Sequence, residues 1–600
     1  MLIILVFLII IGLIIYGVVA WRRREHVAET DPGIGTVRRL YFYAVAFVAL
    51  MMAANGVVLL VRFVLDGLFG GTLVSSSNAM LAGGVSLTAV GLPLWIFHFR
   101  LIQRYVREIQ VESRSLLRKL YMYLTMAVSG ALIINSAVQL LRWAFGAGDF
   151  SGYHGGAVII WAAVWAFHWR IEEAEGQATP DTLGVRRLYL YMASLATLAM
   201  LSFGVGRIAY LVLLEGYDAL TSATILLSDD TGLWRPALRG ALAVGIVGGL
   251  TWGLHWLYLA RRDFGSALRQ LYLYIFAILG GVITILTALA VALSGVLIWL
   301  LGGADDAAAL HFRFLPGVVA TLAVGVALWV YHWTVVQREV KASPQEELDA
   351  RRAYVYIVSG IGLTAMAIGV FLLVGAALDL VVDSFSQVIA GREGLRREPL
   401  AWSITLLALG GPLWGYYWAS AQRLVKEGGA GETLSLARRI FVFAALGAGV
   451  LALLGSLSTA LFLLLRDVLE GRLTSGTVDD LTIPIAIIVT AIIFVPYYWN
   501  VYRQDRDAVP PEAREQLARP VRKEVTVLVA AGDDVVARLE SALGYRVNAA
   551  RWADADAATL SMSDDDCRQV ASRVAAAPGR RVMVIPEGAG GAGMRVVSYG

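Results

Sequence analysis

Four histidines in one repeated setting are the residues of this chain best suited to chemistry. His98, His168, His255 and His332 each stand three residues after a tryptophan and directly before another aromatic residue, as in W-A-F-H-W at 165–169. Residues three apart share a helix face, so each tryptophan lies beside its histidine. Imidazole ligates haem iron and other metals. The pattern therefore allows paired haem ligands, a metal site of converging histidines, or hydrogen bonding and packing between helices.

Two further copies of this motif carry tyrosine at the histidine position. They are W-G-Y-Y-W at 414–418 and V-P-Y-Y-W at 495–499. Because tyrosine leaves most of the pattern intact, we favour an aromatic girdle in which each ring hydrogen-bonds to a neighbouring unit or a loop carbonyl. The candidate interface residues are Trp95, His98, Trp165, His168, Trp252, His255, Trp329, His332, Trp414, Tyr417 and Tyr498. We predict no cofactor, no metal ion and no catalytic residue.

A second motif alternates strictly with the first. It reads R-R-L-Y-F-Y at 38–43 and recurs at 118–123, 186–191, 269–274, 351–356 and 438–443. Successive copies are 68 to 87 residues apart. We call it the start motif and the histidine-containing one the end motif, because together they bracket enough apolar sequence for two membrane helices.

The composition indicates a membrane protein, since 58% of the 600 residues are hydrophobic and 16% are charged, against about 25% charged in soluble domains. Residues 1–21 form an apolar run that Arg22 follows at once, which predicts an uncleaved anchor. The predicted fold is an all-α polytopic membrane protein, with an N-terminal anchor helix and six tandem helical hairpins within residues 36–503, 13 spans in all. The hairpins are placed at about 38–100, 118–170, 186–258, 269–334, 351–420 and 438–503.

The distribution of basic residues predicts the orientation. Segments that join an end motif, or the anchor, to the next start motif hold 25 Lys and Arg residues, whereas the loops inside the hairpins hold 6. Basic loops stay in the cytoplasm. We therefore expect a bacterial cytoplasmic membrane protein with its N-terminus outside and its C-terminus in the cytoplasm. The basic stretch at 391–398 lies on the predicted outer side and runs against this pattern.

Few polar residues fall within the predicted membrane interior. Asn55 and Asn135 each follow the start-motif tyrosine by 14 residues. An amide hydrogen bond between helices is the expected role, and contact with a substrate is the alternative. Charged residues such as Arg62 and Asp66 fall near the outer helix ends, where they are expected to pair or to reach the headgroups.

The composition changes after Arg503. Residues 504–522 form a polar linker, and residues 523–600 are expected to form a small cytoplasmic α+β domain. Its pattern reads β-α-β-β-α-β-β, which suggests a ferredoxin-like arrangement. The predicted strands are 524–530, 545–552, 559–562, 581–586 and 595–599, and the predicted helices are 533–543 and 564–577. The glycine-rich stretch at 588–593 precedes a strand rather than a helix, so we interpret it as a hairpin turn and not as a dinucleotide site.

The pairing of R-R-L-Y-x-Y with W-x-x-H-W resembles a bacterial integral-membrane family defined only as a domain of unknown function. The resemblance covers residues 36–503 and is strongest at the four Trp and His pairs. Tyr417, Tyr498 and Val495 depart from it. The resemblance implies tandem hairpin repeats and no particular activity.

The function expected from these observations is a non-enzymatic membrane scaffold or sensor in the lipid bilayer. The tail would act as an interaction or regulatory module that binds a protein partner, and no nucleic acid is expected. A transporter or channel with a path between hairpins is the alternative, and a haem-binding redox protein is the third hypothesis.

Overall fold

The computed structural model describes most of the chain from residue 34 onward. The described ranges are 34–69, 77–108, 115–175, 180–221, 234–261, 263, 266–302, 307–342, 348–385, 393–471, 473–508, 523–529, 535–543, 547–551, 564–577, 581–587 and 593–599. The predicted anchor at 1–21 lies outside them, as does most of the predicted linker. The described chain divides into two compact units, one ending at Asp505 and one beginning at Arg506.

The first unit contains twelve helices within the described ranges. They are α1 (Ile34–Phe69), α2 (Ser77–Glu108), α3 (Leu116–Ala144), α4 (Gly152–Glu175), α5 (Pro180–Thr221), α6 (Pro236–Trp252, continued as a π-helix over Gly253–Leu259), α7 (Ala267–Gln270, then a π-helix over Leu271–Ile278, then Leu279–Leu300), α8 (Ala308–His311, a 3₁₀ turn Phe312–Phe314, then Leu315–Ala342), α9 (Leu348–Phe385), α10 (Glu393–Thr433), α11 (Leu436–Leu469) and α12 (Ser475–Ala508). We number the consecutive pairs as hairpins 1 to 6. Each start motif lies on the first helix of its hairpin and each end motif on the second.

Ten of the described helices are long and apolar enough to cross a membrane. The other two of the first unit, α4 and α10, were also predicted to span. Helix α4 opens with Gly152, Tyr153 and His154 and ends in a charged stretch, which shortens its apolar run. Helix α10 has 41 residues and begins and ends in polar sequence.

Hairpins pack in chain order. The first helices of neighbouring hairpins touch, and the first helix of one hairpin also packs against the second helix of the next, as α1 does against α4 and α5 against α8. Each hairpin thus shares its interface with its neighbours along the chain, as in repeat proteins. This arrangement brings the start motifs of hairpins 2, 3, 4 and 6 each close to two end motifs.

Glycine at one position lets the two helices of a hairpin approach closely. Gly91, Gly248, Gly325 and Gly410 each stand four residues before the end-motif tryptophan. A Cβ atom on Gly248 would lie 2.6 Å from the backbone nitrogen of Leu201, and one on Gly410 would lie 2.8 Å from that of Met366. Small residues at such crossings are typical of helix contacts in membranes.

One π-helix in hairpin 4 keeps this crossing in register. Gly91 and Gly410 meet the backbone nitrogen of the residue 12 positions after the start-motif tyrosine, whereas Gly325 meets Ile285, 13 positions after Tyr272. The π-helix over Leu271–Ile278 includes Tyr272 and ends before Ile285. A π-helical turn takes up one extra residue, which accounts for the shift.

We predict opposite effects for alanine at two adjacent glycines of α10. Gly410→Ala forces backbone to move, because the new Cβ would overlap both Met366 N and Gly362 O, and such overpacking costs about 1–3 kcal/mol. Gly411→Ala meets no atom within 4 Å and gains the helix propensity of alanine, about 1 kcal/mol. The midpoint temperature of the purified protein in detergent should fall in the first variant and stay or rise in the second. Equal behaviour of the two would contradict the packing role.

The second unit is a small α/β domain. Its elements are β1 (Glu524–Val529), α13 (Val535–Leu543), β2 (Asn548–Arg551), α14 (Asp564–Ala576), β3 (Arg581–Glu587) and β4 (Gly593–Tyr599). The four strands form one sheet in the order β2-β1-β3-β4. Val527, Val582 and Val584 are fully buried beneath the helices, with Cys567 in the same core.

The sheet differs from the predicted ferredoxin-like arrangement. Strand β2 pairs in parallel directly with β1, and β3 pairs in parallel with the other side of β1. A ferredoxin-like fold instead separates the strands of each β-α-β unit by another strand. The predicted strand at 559–562 lies outside the described residues, and β2 finds its partner in β1. Strands β3 and β4 pair antiparallel on either side of the glycine-rich stretch, and a strand rather than a helix follows it.

Candidate functional site

In hairpins 2 to 4 the start and end motifs meet through a tyrosine and a histidine. The hydroxyl of Tyr121 lies 3.2 Å from Nε2 of His168 in hairpin 2, and that of Tyr189 lies 3.1 Å from Nε2 of His255 in hairpin 3. In hairpin 4 the hydroxyl of Tyr272 lies 3.4 Å from His332 Nε2. These histidines are buried. Each pair therefore ties the beginning of one helix to the end of its partner.

The backbone determines the tautomer of these histidines. Nδ1 of His168, His255 and His332 lies 2.8 Å from the carbonyl oxygen four residues earlier. A carbonyl only accepts hydrogen bonds, so Nδ1 must carry the proton. In the neutral ring Nε2 then has a lone pair, and it accepts the proton of the tyrosine hydroxyl.

A tryptophan from the preceding hairpin completes the arrangement. Trp165 Nε1 donates to Tyr189 OH over 2.8 Å, Trp252 Nε1 donates to Tyr272 OH over 3.3 Å, and Trp95 Nε1 donates to Tyr121 OH over 3.4 Å. Each tyrosine hydroxyl thus accepts from one hairpin and donates within the next. We call this chain of bonds, from indole to hydroxyl to imidazole to carbonyl, the Trp–Tyr–His relay.

Hairpins 5 and 6 use variants of the relay. In hairpin 5, Tyr354 and Tyr417 share a hydrogen bond of 3.1 Å between their hydroxyls. In hairpin 6 the start-motif tyrosine is replaced by Phe441, and Trp414 Nε1 donates instead to Tyr498 OH over 2.8 Å. The hydroxyl lost at position 441 is therefore supplied by the end motif. The end-motif tryptophan of hairpin 4, Trp329, is 37% exposed and stacks on Trp333, with ring centroids 6.4 Å apart.

A second row of aromatic contacts links the start motifs to one another. Tyr43 packs against Tyr121 with ring centroids 5.6 Å apart, and Tyr123 packs against Tyr189 at 5.5 Å. The same contact continues between Tyr191 and Tyr272, between Tyr274 and Tyr354, and between Tyr356 and Phe441. The second ring of each start motif therefore packs on the first ring of the next.

Buried arginines of the start motif form ion pairs that the sequence analysis did not predict. Arg269 forms a bidentate pair with Glu339 at 2.9 Å and 2.6 Å, and Arg438 forms one with Asp505 at 2.8 Å for both bonds. Arg118 pairs with Glu175. These arginines belong to hairpins 2, 4 and 6, where the acid stands seven residues after the end-motif His or Tyr and a serine three residues before the arginine caps the helix. That spacing was the available signal.

In hairpins 3 and 5 the second arginine of the start motif forms the ion pair. Arg187 of hairpin 3, the second arginine of its start motif, binds Asp263 at 2.9 Å, and Arg352 of hairpin 5 binds Glu432 at 2.6 Å. Burial raises the pKa of the Asp263 carboxyl, but hydrogen bonds from Tyr191 and Arg187 outweigh burial and hold that pKa below its ordinary value. Hairpins 2 to 6 therefore alternate between two arrangements of the ion pair, whereas the sequence analysis treated all six hairpins as copies of one unit.

The two predicted intramembrane amides do not meet. Asn55 Nδ2 donates to the carbonyl oxygen of Met51, four residues earlier in its own helix. Asn135 is exposed on the surface of α3. At the other helix ends, Arg62 pairs with Asp66 at 3.1 Å, and Asp66 also accepts the backbone N–H of Gly152 at the start of α4. Asp66 therefore joins α1 to α4 through a hydrogen bond.

The relay leaves the histidines of hairpins 2 to 4 with both ring nitrogens bonded to protein. A haem or metal ligand needs one ring nitrogen free. Within the part of the chain that the structure describes, no three His, Cys, Asp or Glu side chains are grouped to hold a metal ion. These histidines therefore join the two helices of their own hairpin.

A swap between hairpins tests the relay. Tyr272→Phe leaves Trp252 Nε1 without its acceptor and His332 Nε2 without its donor, which should cost about 1–3 kcal/mol. Adding His332→Tyr recreates the Phe441–Tyr498 combination of hairpin 6, whose rings have the same separation of 5.8 Å and the same interplanar angle of 70° as Tyr272 and His332.

The double variant should recover much of the loss in midpoint temperature, and His332→Tyr alone provides the control. If the double variant were no more stable than Tyr272→Phe, the hydroxyl would not be the group that matters.

The buried ion pairs should be sensitive to loss of one partner. Arg269→Gln leaves the Glu339 carboxylate without its bidentate partner, and breaking such a pair costs about 3–5 kcal/mol. Arg104→Gln removes a pair with Glu108 in which both side chains are more than half exposed, so no measurable change is expected. Thermal unfolding of the two variants measures the difference, and equal midpoint temperatures would argue against the assigned role of Arg269.

Comparison with known proteins finds a match to a sequence family only. No curated protein and no solved structure matches the chain significantly. The domain of unknown function DUF5671 matches three times, at residues 39–150, 187–319 and 352–493. Each match begins at the start motif of hairpin 1, 3 or 5, in agreement with the alternation of the ion pairs. Since the matches cover more than half of the chain, the protein belongs to the DUF5671 family and carries its domain in three tandem copies.

Proposed function

We propose that this chain is a multi-pass membrane scaffold or sensor without enzymatic activity, whose tail is an interaction module. The observation that carries the proposal is the use of the motif rings. In hairpins 2 to 4 both ring nitrogens of the motif histidine and the hydroxyl of the first start-motif tyrosine are hydrogen-bonded to protein, so the most chemically capable residues serve to join helices.

The outward faces of the helices support a membrane location. Leu250 and Leu451 are each 71% exposed, and Phe462 is 63% exposed. Large exposed apolar surfaces of this kind are unfavourable in water and are covered by lipid in membrane proteins. We propose 13 spans, with α4 and α10 also crossing the membrane and residues 1–21 as the additional span.

In the proposed orientation the relay lies at the cytoplasmic side. Start and end motifs lie together at one end of the hairpins, which is where the basic joining segments also lie. Positive residues favour the cytoplasm. The tail domain then lies in the cytoplasm, where it can bind a protein partner.

Thiol labelling of intact cells tests this orientation. In a Cys567→Ala background, Phe69→Cys lies at the tip of hairpin 1 and Arg104→Cys lies beyond the end motif, and both side chains are exposed. A membrane-impermeant maleimide should label the first without permeabilisation and the second only after it. The reverse pattern would invert the topology, and labelling of both without permeabilisation would contradict a membrane crossing between them.

The proposed scaffold role is tested against its two alternatives with the purified full-length protein. An absorption spectrum after expression with haem supplied should show no Soret band. In proteoliposomes, the flux of ions and small solutes should equal that of empty vesicles. A Soret band that disappears in His98→Ala or His168→Ala would establish haem binding instead, and a flux that Asn55→Ala abolishes would establish transport.

A further inference from the structure

Three arginines of hairpins 2 and 3 lie at the ends of the helices opposite the motifs, which we call the distal end. Arg142 is in the last turn of α3, Arg239 is near the start of α6, and Arg207 is in the distal half of α5. Their partners within the described residues are backbone carbonyls and, for Arg207, the ring of Tyr210, whose centroid lies 5.0 Å from its Cζ. Among those residues, none of the three arginines has a carboxylate partner.

Two of the three arginines bind the turn that ends α3. Arg142 Nη2 donates to the carbonyl oxygen of Ala147 over 3.4 Å. Arg239 Nη1 donates to the carbonyl oxygens of Phe145 and Gly146 at 3.1 Å and 2.7 Å. The Nε atoms of both arginines are buried and have no hydrogen bond. A guanidinium carries five N–H donors, so these contacts hold both side chains in place and leave further donors for another acceptor.

The packing of α3, α5 and α6 brings the three arginines to one level. Each helix contributes one residue to a buried cluster, and these are Ile134, Met200 and Val247. The residues seven positions nearer the distal end are Leu141, Arg207 and Gly240. Positions seven apart share a helix face and differ by about 10 Å in height. Arg142 follows Leu141 and Arg239 precedes Gly240, and a Cβ on Gly240 would lie 4.0 Å from Arg142 Nε. The three arginines therefore converge on the groove between these helices.

Neighbouring arginines at the distal end bind carboxylates. Arg235 pairs with Glu215 at 3.2 Å, and Arg313 pairs with Asp218 at 2.7 Å. The turn after α3 contains one acidic residue, Asp149, which is exposed and, within the described part of the chain, forms no ion pair. Three like charges at one level repel one another, and charge is costly at the edge of a hydrocarbon layer. An anion in the groove would therefore stabilise the three arginines.

The surroundings of the groove indicate an anion with an apolar tail. Trp143 is 39% exposed and Trp234 is 59% exposed, and the ring of Trp234 meets that of Phe145 edge-on. Tryptophans gather at the level of the lipid headgroups. Phe203 is 56% exposed and stands one turn before Arg207, on the side of the membrane interior. A free phosphate would leave this apolar surface uncovered, whereas a phospholipid would place its phosphate among the arginines and an acyl chain over Phe203.

We propose that an anionic phospholipid binds the groove between α3, α5 and α6 and that Arg142, Arg207 and Arg239 hold its phosphate. Guanidinium groups bind phosphate oxygens through short, charge-assisted hydrogen bonds. The lipid joins hairpins 2 and 3 at the end opposite the relay. The site rests on the proposed membrane location, and in the proposed orientation it lies in the outer leaflet.

Stabilisation of the purified full-length protein by added lipid tests the site. R207Q is the most informative variant, because within the described residues Arg207 has no hydrogen-bond partner and its loss leaves the protein contacts intact. R313Q is the matched control, since it removes a distal arginine that already binds Asp218. Phosphatidylglycerol in detergent should raise the midpoint temperature of the unmodified protein and of R313Q. The concentration needed for half of this rise should be about tenfold higher in R207Q, because one charge-assisted bond is lost.

Two further additions identify what the groove binds. Phosphatidylcholine with the same acyl chains should stabilise the protein less than phosphatidylglycerol does, because its ammonium group is repelled by the arginines. Inorganic phosphate should give a smaller rise than phosphatidylglycerol, because it covers no apolar surface. An equal response to phosphatidylcholine would overturn the role of the headgroup charge. An equal response to inorganic phosphate would overturn the lipid and identify a site for a free anion.

Native mass spectrometry provides a second readout that does not depend on unfolding. The fraction of protein that retains phosphatidylglycerol should fall about tenfold in R207Q and in the double variant R142Q/R239Q, and should stay unchanged in R313Q. Equal retention in all variants would overturn the proposal. A Soret band or a solute flux would refute the scaffold function and leave this result unchanged, whereas the absence of a membrane crossing in the thiol-labelling experiment would remove the lipid site as well.

Discussion

In hairpins 2 to 4, one tyrosine hydroxyl in each hairpin is the group on which the packing of the membrane unit depends. It accepts a hydrogen bond from the indole of the preceding hairpin and donates one to the imidazole of its own, so it belongs to two hairpins at once. A hydroxyl is suited to this position because it is both donor and acceptor, whereas an indole only donates and a carbonyl only accepts. The direction of the relay follows from these chemical limits, and so does the tautomer of each histidine.

Hairpin 6 shows which property of the relay is essential. Phe441 removes the hydroxyl from the start motif, and Tyr498 returns one to the same place from the end motif. The ring positions and the indole donor are kept, while the imidazole is absent. In hairpin 6 the feature that is kept is an indole N–H with a hydrogen-bond acceptor at the junction of hairpins 5 and 6. This is expected because an unpaired buried polar group is costly.

The buried ion pairs of the first start-motif arginine occur in every second hairpin, so they repeat over a longer distance than the relay. Arg118, Arg269 and Arg438 are nearly inaccessible, and each meets a carboxylate seven residues after the motif His or Tyr. Such pairs contribute little net stability compared with apolar packing, but losing one partner is costly. Each pair joins the two helices of one hairpin. Their restriction to every second hairpin makes the four-helix pair of hairpins the repeating unit, which agrees with three copies of the family domain. The first and second copies join through the bond from Trp165 to Tyr189, which is of the same kind as the bonds that join hairpins within a copy.

Much of this protein is determined by local sequence. Apolar runs of membrane-spanning length and the alternating motifs are properties of nearby residues, and they predict helical hairpins, the shared end of the motifs and a structural role for the histidines. The hydrogen-bond partners were not predictable, because Tyr121 and His168 are 47 residues apart and Trp414 and Tyr498 are 84 apart. Only the crossing of the helices brings those atoms within bonding distance. The same holds for the tail. Its strands were recognisable in the sequence, but their order in the sheet depends on which distant strand pairs with each edge of β1. Residue types decided which groups needed partners, and the tertiary structure decided which partners they found.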